Sequence, residues 1–423
     1  MNKVVVLFVI VLFFNPNAHC SEPLDLSDHG LAFEWHNKNV SAKAGASLDV
    51  GYRLYNERER SDSTFNIFRS RLRLTGLYCQ KFRFGLEYDF KSTADHMTDA
   101  YVAWQFYPLF CLKAGKFKTP FSFEWQSADN TIFFAQRSMG NALTPKRDIG
   151  MMLAAYYPYP FIHSTMGIFN GTSGKQPTQG RQRDEPEFVS RLTLSPFKKL
   201  GFEWIESLQI GWSTSYCRIN LSQIDIEIKT TGMTDSNRNL YVLNPNTKFG
   251  VLYDVNKRTR SGLEAFWSIG PMAFQYEYIR MKLSELKPAT GDAMNAEFSS
   301  GYVSLLVSLT GEKLSATPEG LCSVKPVTPM NEKSGFGAFL FSARGEYFHG
   351  DENWIKKELA VSVQRANAKS FALIWLPNDF NRIIMDYTQT RFSDPLRIRI
   401  NTDGTIVYNE RETVFNIRWC IDF

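Results

Sequence analysis

After its first twenty residues, this chain of 423 residues has no apolar run that could cross a bilayer as a helix, which takes about 20 residues. Helix signals are nearly absent. The six histidines (19, 29, 36, 96, 163 and 349) are scattered, and the cysteine spacings match no zinc site, so no metal and no cofactor is expected. No GxSxG elbow occurs, and His163 and Ser164, adjacent in a strand-like stretch, face opposite ways. The GTSGK stretch at 171–175 lacks the spacing and strand-to-helix setting of a phosphate-cradling loop. No catalytic residue is therefore expected, and the chain does not read as an enzyme. A net charge of +5 is too mild for a nucleic-acid binder.

The N-terminus has a cationic start (Met1-Asn2-Lys3), an unbroken apolar run over 4–14 and a polar tail to Cys20, the pattern of a secretory signal. With export comes an oxidising compartment. Cys79, Cys111, Cys217, Cys322 and Cys420 remain, an odd number that one chain cannot pair completely. They are free or locally paired, or they form disulfides between chains. The expected division is a signal peptide at 1–20, an N-terminal periplasmic segment at 21–42 and one domain at 43–423.

In the exported part, residues alternate. Over 65–78, Phe68, Leu72, Leu74 and Tyr78 point one way, and Arg69, Arg71, Arg73 and Thr75 the other. A period of two is a β-strand; a helix would scatter the arginines around its circumference. Similar segments recur at about 48–54, 81–91, 98–107, 109–117, 147–157, 160–170, 186–195, 204–217, 257–269, 271–283, 297–310, 334–348, 367–376, 380–391 and 411–423. With 65–78 that makes sixteen, all but 48–54 reaching the length of a tilted transmembrane strand of about 9–11 residues. The apolar faces carry aromatics near strand ends (Tyr78, Tyr88, Trp104, Trp212, Trp419), which suits an interfacial girdle. The other faces carry charge in mid-strand, which a packed core would reject and a water-filled lumen accepts. An arginine facing lipid at the midplane costs about 2–4 kcal/mol, so three would approach roughly 6–12. The arginines must look inward.

The fold expected is an all-β transmembrane antiparallel barrel. It has short periplasmic turns, long extracellular loops and sixteen strands, or eighteen if 240–254 hides a further pair. The long connection 311–333 falls on the short-turn side, so either that turn is unusually long or a strand pair is hidden. The closing segment alternates Ile417, Trp419, Ile421 and Phe423; Trp419, Ile421 and Phe423 are the signal that outer-membrane barrel-assembly machinery is expected to recognise.

The segments AYVAW ending at Trp104, AGKFKTPFSFEW (114–125), QRSMGNALTPKRDIGMML (136–153) and RLTLSPF (191–197) resemble the phosphate-selective porin family, the O and P porins of Gram-negative outer membranes. So do GPMAFQYEY (270–278), GYVSLLVSLTGE (301–312), GFGAFLFSARGEY (335–347) and IWLPNDFNRIIMDY (374–387), in order to near the C-terminus. The resemblance implies a homotrimer of sixteen-stranded barrels in the outer membrane. It also implies an inward-folded loop, and a ladder of lumen arginines that leads small inorganic or organic anions to a lysine-lined constriction. Candidate pore-lining residues are Arg69, Arg71, Arg73, Lys81, Arg83, Arg258 and Arg260 on strands. Lys118, Arg137 and Lys146 join them from the loop 118–146, with Arg147 at the start of the next strand; Glu124, Asp129 and Asp148 lie in the same region and could pair with them. Lumen acids Glu87, Asp89, Glu264, Glu277 and Glu346 temper the preference. The expected function is a porin for passive diffusion of small solutes with a weak-to-moderate, phosphate-like anion preference. Its partners would be the permeating anions, outer-membrane lipid and the assembly machinery. The alternative is a structural or adhesive surface barrel, disulfide-linked to other envelope proteins.

Overall fold

The computed structural model describes residues 31–34, 40–55, 64–92, 96–158, 161–171, 186–218, 226–228, 240–243, 257–286, 292–330, 335–356, 360–400 and 406–423. The signal segment, most of 21–42 and long-loop stretches such as 56–63 and 172–185 lie outside them.

Sixteen antiparallel strands close into one barrel: β1 Val40–Tyr55, β2 Thr64–Tyr78, β3 Phe82–Asp89, β4 Met97–Tyr107, β5 Phe110–Lys118, β6 Arg147–Tyr157, β7 Ile162–Phe169 and β8 Glu187–Leu194; then β9 Gln209–Arg218, β10 Lys257–Ile269, β11 Met272–Leu286, β12 Met294–Ser308, β13 Ala338–His349, β14 Arg365–Asn378, β15 Asn381–Ile400 and β16 Ile406–Asp422. Each strand pairs with its sequence neighbours, and β16 returns to β1 along Ser47–Asp422 to Tyr55–Val414. Phe423 extends the seam, its N–H donating to the Ala46 carbonyl and its own carbonyl accepting from Ala46. A short strand, Leu31–Glu34, runs along the start of β1. No helix among the described residues is long and apolar enough to cross a membrane.

The expected girdle is on the outer wall. Tyr78, Tyr88, Trp104, Trp212 and Trp419 are between 38% and 52% exposed, as lipid-facing rings are when no lipid is present. Stacked outward pairs such as Phe82 with Trp104 and Phe339 with Trp375 line the short-turn end.

Two departures from strict alternation have clear causes. In β2 the register with β1 slips between Arg69–Asp49 and Ile67–Val50, which inserts Phe68 as a bulge. Phe68 therefore joins the arginine face, where the Arg418 guanidinium lies 3.7 Å over its ring, while Phe65 and Ile67 point out. At the long-loop ends of β11–β13, Ile279, Met281, Leu283, Phe298 and Phe348 are buried inward, while Arg280 and Glu297 pair at 2.6 Å on the exposed outer side. The lumen is filled with protein there, so an apolar inner wall is the favourable one. Tyr241, Trp354 and the 3₁₀ turn Met139–Leu143 supply the filling.

Among its described residues, the long connection between β12 and β13 hides no barrel strands. It folds back into the lumen and carries a tight hairpin, Ala316–Thr317 with Gly320–Leu321. Within 240–254, Tyr241–Leu243 joins a separate three-stranded sheet with Ile226–Ile228 and Ala360–Ser362; the rest of that stretch lies outside the described residues. The barrel has sixteen strands.

Candidate pore eyelet

The connection 119–146 between β5 and β6 enters the lumen as expected, because the wall offers its backbone partners. The Phe123 and Glu124 N–H groups donate to the Glu277 carboxylate at 2.5 and 3.2 Å, at the start of a single helical turn, Phe123–Gln126. Further along, Ala135 N–H donates to Asp386, Met139 N–H to Glu346, and Arg382 donates to the Asn130 and Ile132 carbonyls. Donors buried against the wall would be costly to leave unpaired, so these wall groups determine where the loop lies. The folded-in connection from the short-turn end meets it. Leu321 N–H donates to Ser127 Oγ at 3.0 Å, and Gly320 sits so close that a Cβ would stand 2.5 Å from Ser127 Cα. Phenylalanines 123, 133 and 134 then pack with Phe266, Leu306, Leu314 and Leu340 and fill the β10–β15 side.

What stays open near β1 and β2 is a cavity of about 230 Å³. Five cations line it, Arg69, Arg71, Arg73, Lys118 and Arg147, as do five carboxylates, Asp49, Glu87, Asp99, Asp129 and Asp422. Arg69 pairs with Asp49 at 3.0 Å and Asp129 at 3.4 Å; Arg71 with Asp89 and Asp129 at 2.8 Å and Glu87 at 3.3 Å; Arg73 with Glu87 at 3.0 Å. Arg147 reaches Asp99 at 2.9 Å and Glu87 at 3.6 Å. In the wall pairs of the β2 arginines the guanidinium is the more exposed partner, whereas Arg147 is 16% exposed against 22% for Asp99. Arg73 is 36% exposed against 5% for Glu87, and Arg69 15% against 5% for Asp49.

The other candidates are distributed differently. Arg137 stays within the loop, bonding Asp129 at 2.5 Å, Ser127 O at 3.0 Å and Glu124 O. Lys118 donates to Ser127 O at 2.8 Å, so it lines the cavity and pins the loop together. Arg258 and Arg260 bind one buried carboxylate, Glu187, at 2.8 and 2.5 Å and lie away from the eyelet. Arg83 is on β3 opposite Ala103, nearer the short turns. Lys81 occupies the exposed β2–β3 turn, outside the lumen wall, because the turn itself consumes residues 79–81. None of the described cysteines is in a disulfide; Cys217 and Cys420 are buried, Cys111 and Cys322 half-buried and Cys79 exposed.

One contributor had no sequence signal. Lys118, Arg137, Lys146 and Arg147 all lie between 4.8 and 5.7 Å from the Trp125 ring, whose π face attracts cations that would otherwise repel one another. Asp129 is held well below the usual carboxylate range. Burial alone would raise it, but Arg69, Arg137, Arg71 and Lys118 outweigh that effect. Lys146 is pulled down to about 7, first by burial and then by Arg137 and Arg260. Its folded value lies below the ordinary 10.5, so the folded chain binds fewer protons between about 7 and 10.5. Its contribution to stability therefore rises with pH across that window and is flat below it. Lys146→Met should flatten the slope, as read from denaturation midpoints at about pH 7 and pH 10; an unaltered slope would refute the assignment.

The fold matches known barrels. OmpT of Vibrio cholerae in its trimer form aligns over 91% of this chain and 100% of its own at TM-score 0.52 and 10% identity. An anion-selective porin from Comamonas acidovorans does so over 91% and 100%, at TM-score 0.52 and 10% identity. DcaP, an outer-membrane channel of Acinetobacter baumannii, covers 93% and 100% at TM-score 0.53 and 9% identity. At such identities the likeness is one of fold. A comparison with curated protein sequences finds no match. The sequence profile of phosphate-selective porins O and P matches residues 40–397, and the chain, a sixteen-stranded barrel with inward-folded loops, belongs to that family of outer-membrane channels.

Proposed function

We propose that the protein is a porin for passive diffusion of small solutes with a weak-to-moderate preference for oxyanions such as phosphate, and not an enzyme. One observation carries the reading. Against their wall carboxylates the β2 arginines are the more exposed partners, so a solute passing β2 meets more cation than wall carboxylate although the lining holds five charges of each sign. Arginines two apart on a strand stand roughly 6.5–7 Å from one another, close enough for an anion to pass between overlapping wells. The near balance of charge keeps the preference modest.

The wider setting is part of the same proposal. The chain is exported by its N-terminal signal, assembled through the closing strand that ends on Trp419, Ile421 and Phe423, and trimeric; a structure of like fold is a trimer form. Reversal potentials across planar bilayers in a salt gradient should show anion preference, and Arg71→Ala should lose a clear part of it. Cation preference in the wild type would overturn the reading, and an unchanged Arg71→Ala channel would make the ladder a scaffold. The second reading, a surface barrel with an incidental pore, draws on the contact of the two inward connections at Ser127 and Leu321. Liposomes containing such a barrel would not swell in small osmolytes.

A further inference from the structure

Asp129 differs in placement from the other carboxylates of the eyelet. Asp49, Glu87 and Asp89 belong to the barrel wall and hold the arginines from behind. Asp129 comes from the inward loop and reaches the same arginines from the lumen side, with 16% of its side chain exposed. Its Oδ2 lies 2.8 Å from Arg71 Nη1 and 3.4 Å from Arg69 Nη2, and its Oδ1 accepts from Arg137 Nη2 at 2.5 Å. Arg137 is itself anchored to Ser127 O and Glu124 O, which aims the carboxylate outward from its loop. Three guanidiniums on one carboxylate exceed what a single structural pin requires. The arrangement is the one a free oxyanion would adopt between Arg69 and Arg71, with forked donors matched to two oxygens.

We propose that the Asp129 carboxylate occupies the anion position of this eyelet as a tethered counter-ion, which a permeating oxyanion must displace. The inference rests on the porin reading above and adds to it which residue sets the affinity. Wall carboxylates keep Arg69 and Arg71 oriented when Asp129 leaves, so the position survives exchange. Chloride, with no pair of oxygens to engage the fork, should compete poorly with Asp129, whereas phosphate and small carboxylates should compete well.

The test uses the full-length protein in planar bilayers. Chloride current is recorded while inorganic phosphate, and separately acetate, is titrated in, for the wild type, Asp129→Asn and Asp129→Glu. A group on the same chain competes at an effective concentration of about millimolar or above. Its removal in Asp129→Asn should therefore lower the half-blocking phosphate concentration by on the order of tenfold and raise the anion-to-cation ratio. Asp129→Glu should stay near the wild type. If Asp129→Asn leaves both the block and the ion ratio unchanged, the proposal fails. It also fails if that variant changes only the size of the chloride conductance, which marks a mere loop pin. A wild type without anion preference beside an Asp129→Asn channel that gains both preference and block would defeat the porin selectivity reading and support this one. If neither channel shows preference or block, both are overturned. Where Asp129→Asn gives no assembled barrel, Asp129→Ser is titrated in its place against the same outcomes.

Discussion

Arg344→Ala should be among the most damaging single substitutions in this protein, costing about 3–5 kcal/mol, because it leaves two carboxylates buried without their cation. Arg344 is 3% exposed and stands between Glu124 of the inward loop at 3.2 Å and Glu346 of its own strand at 3.3 Å. It also donates to the Gln136 carbonyl and lies 4.3 Å over the Phe134 ring. Arg344→Met keeps most of the packing volume and none of the charge, so it should lose nearly as much. The measurement is the temperature at which the folded, detergent-resistant form disappears in each variant. Equal temperatures for wild type and both variants would show that Arg344 is dispensable to the scaffold.

Glu277→Ala should act on the passage more than on the barrel. Glu277 is 2% exposed and accepts from three donors: Phe123 N–H, Glu124 N–H and the Tyr302 hydroxyl at 2.7 Å. Each donor left unsatisfied costs about 1–3 kcal/mol, and two of the three can recover water only if the loop leaves the wall. The loop is therefore expected to undock around its helical turn, with a larger and noisier single-channel conductance and a barrel that still resists detergent. A channel of normal conductance would mean that the remaining contacts, at Asp386, Glu346 and Arg382, suffice to hold it. The two substitutions separate the functions of the lumen charges: Arg344 binds loop to wall, and Glu277 sets how far the loop reaches across.

Much of the barrel was legible in the sequence, because a period of two and the cost of charge in lipid are local properties of each strand. The sixteen strand positions, the outward aromatics and the inward Arg69, Arg71 and Arg73 all follow from that pattern. Phe68 did not, since a bulge depends on the partner strand, and nothing in 65–78 alone reveals where the register slips. Nor did the apolar inner ends of β11–β13, which make sense only once Tyr241 and Trp354 are known to fill that mouth. The excess length at 311–333 was visible as an anomaly, but a folded-in turn and a missed strand pair leave the same trace in sequence. At the eyelet, the cations could be read from alternation and from the resemblance. Asp129 could be named as a partner of the loop cations and Glu277 as a lumen acid, but that Asp129 bridges to Arg69 and Arg71, that Glu277 holds the loop and that Trp125 gathers the cations depend on distances that only the closed barrel creates.

The seam between β16 and β1 also governs the order in which this molecule comes to exist. Every other pair of barrel strands joins neighbours in sequence and can zip locally, whereas the seam joins the two most distant strands and carries the loop-closure cost of the whole ring. The arginine ladder lies on β2 and its deepest partner, Asp49, on β1, beside that seam. The proposed conducting residues are thus placed beside the joint with the highest closure cost. A half-assembled barrel would have an open edge in place of a charged eyelet, and selectivity would arise in the same step that seals the wall.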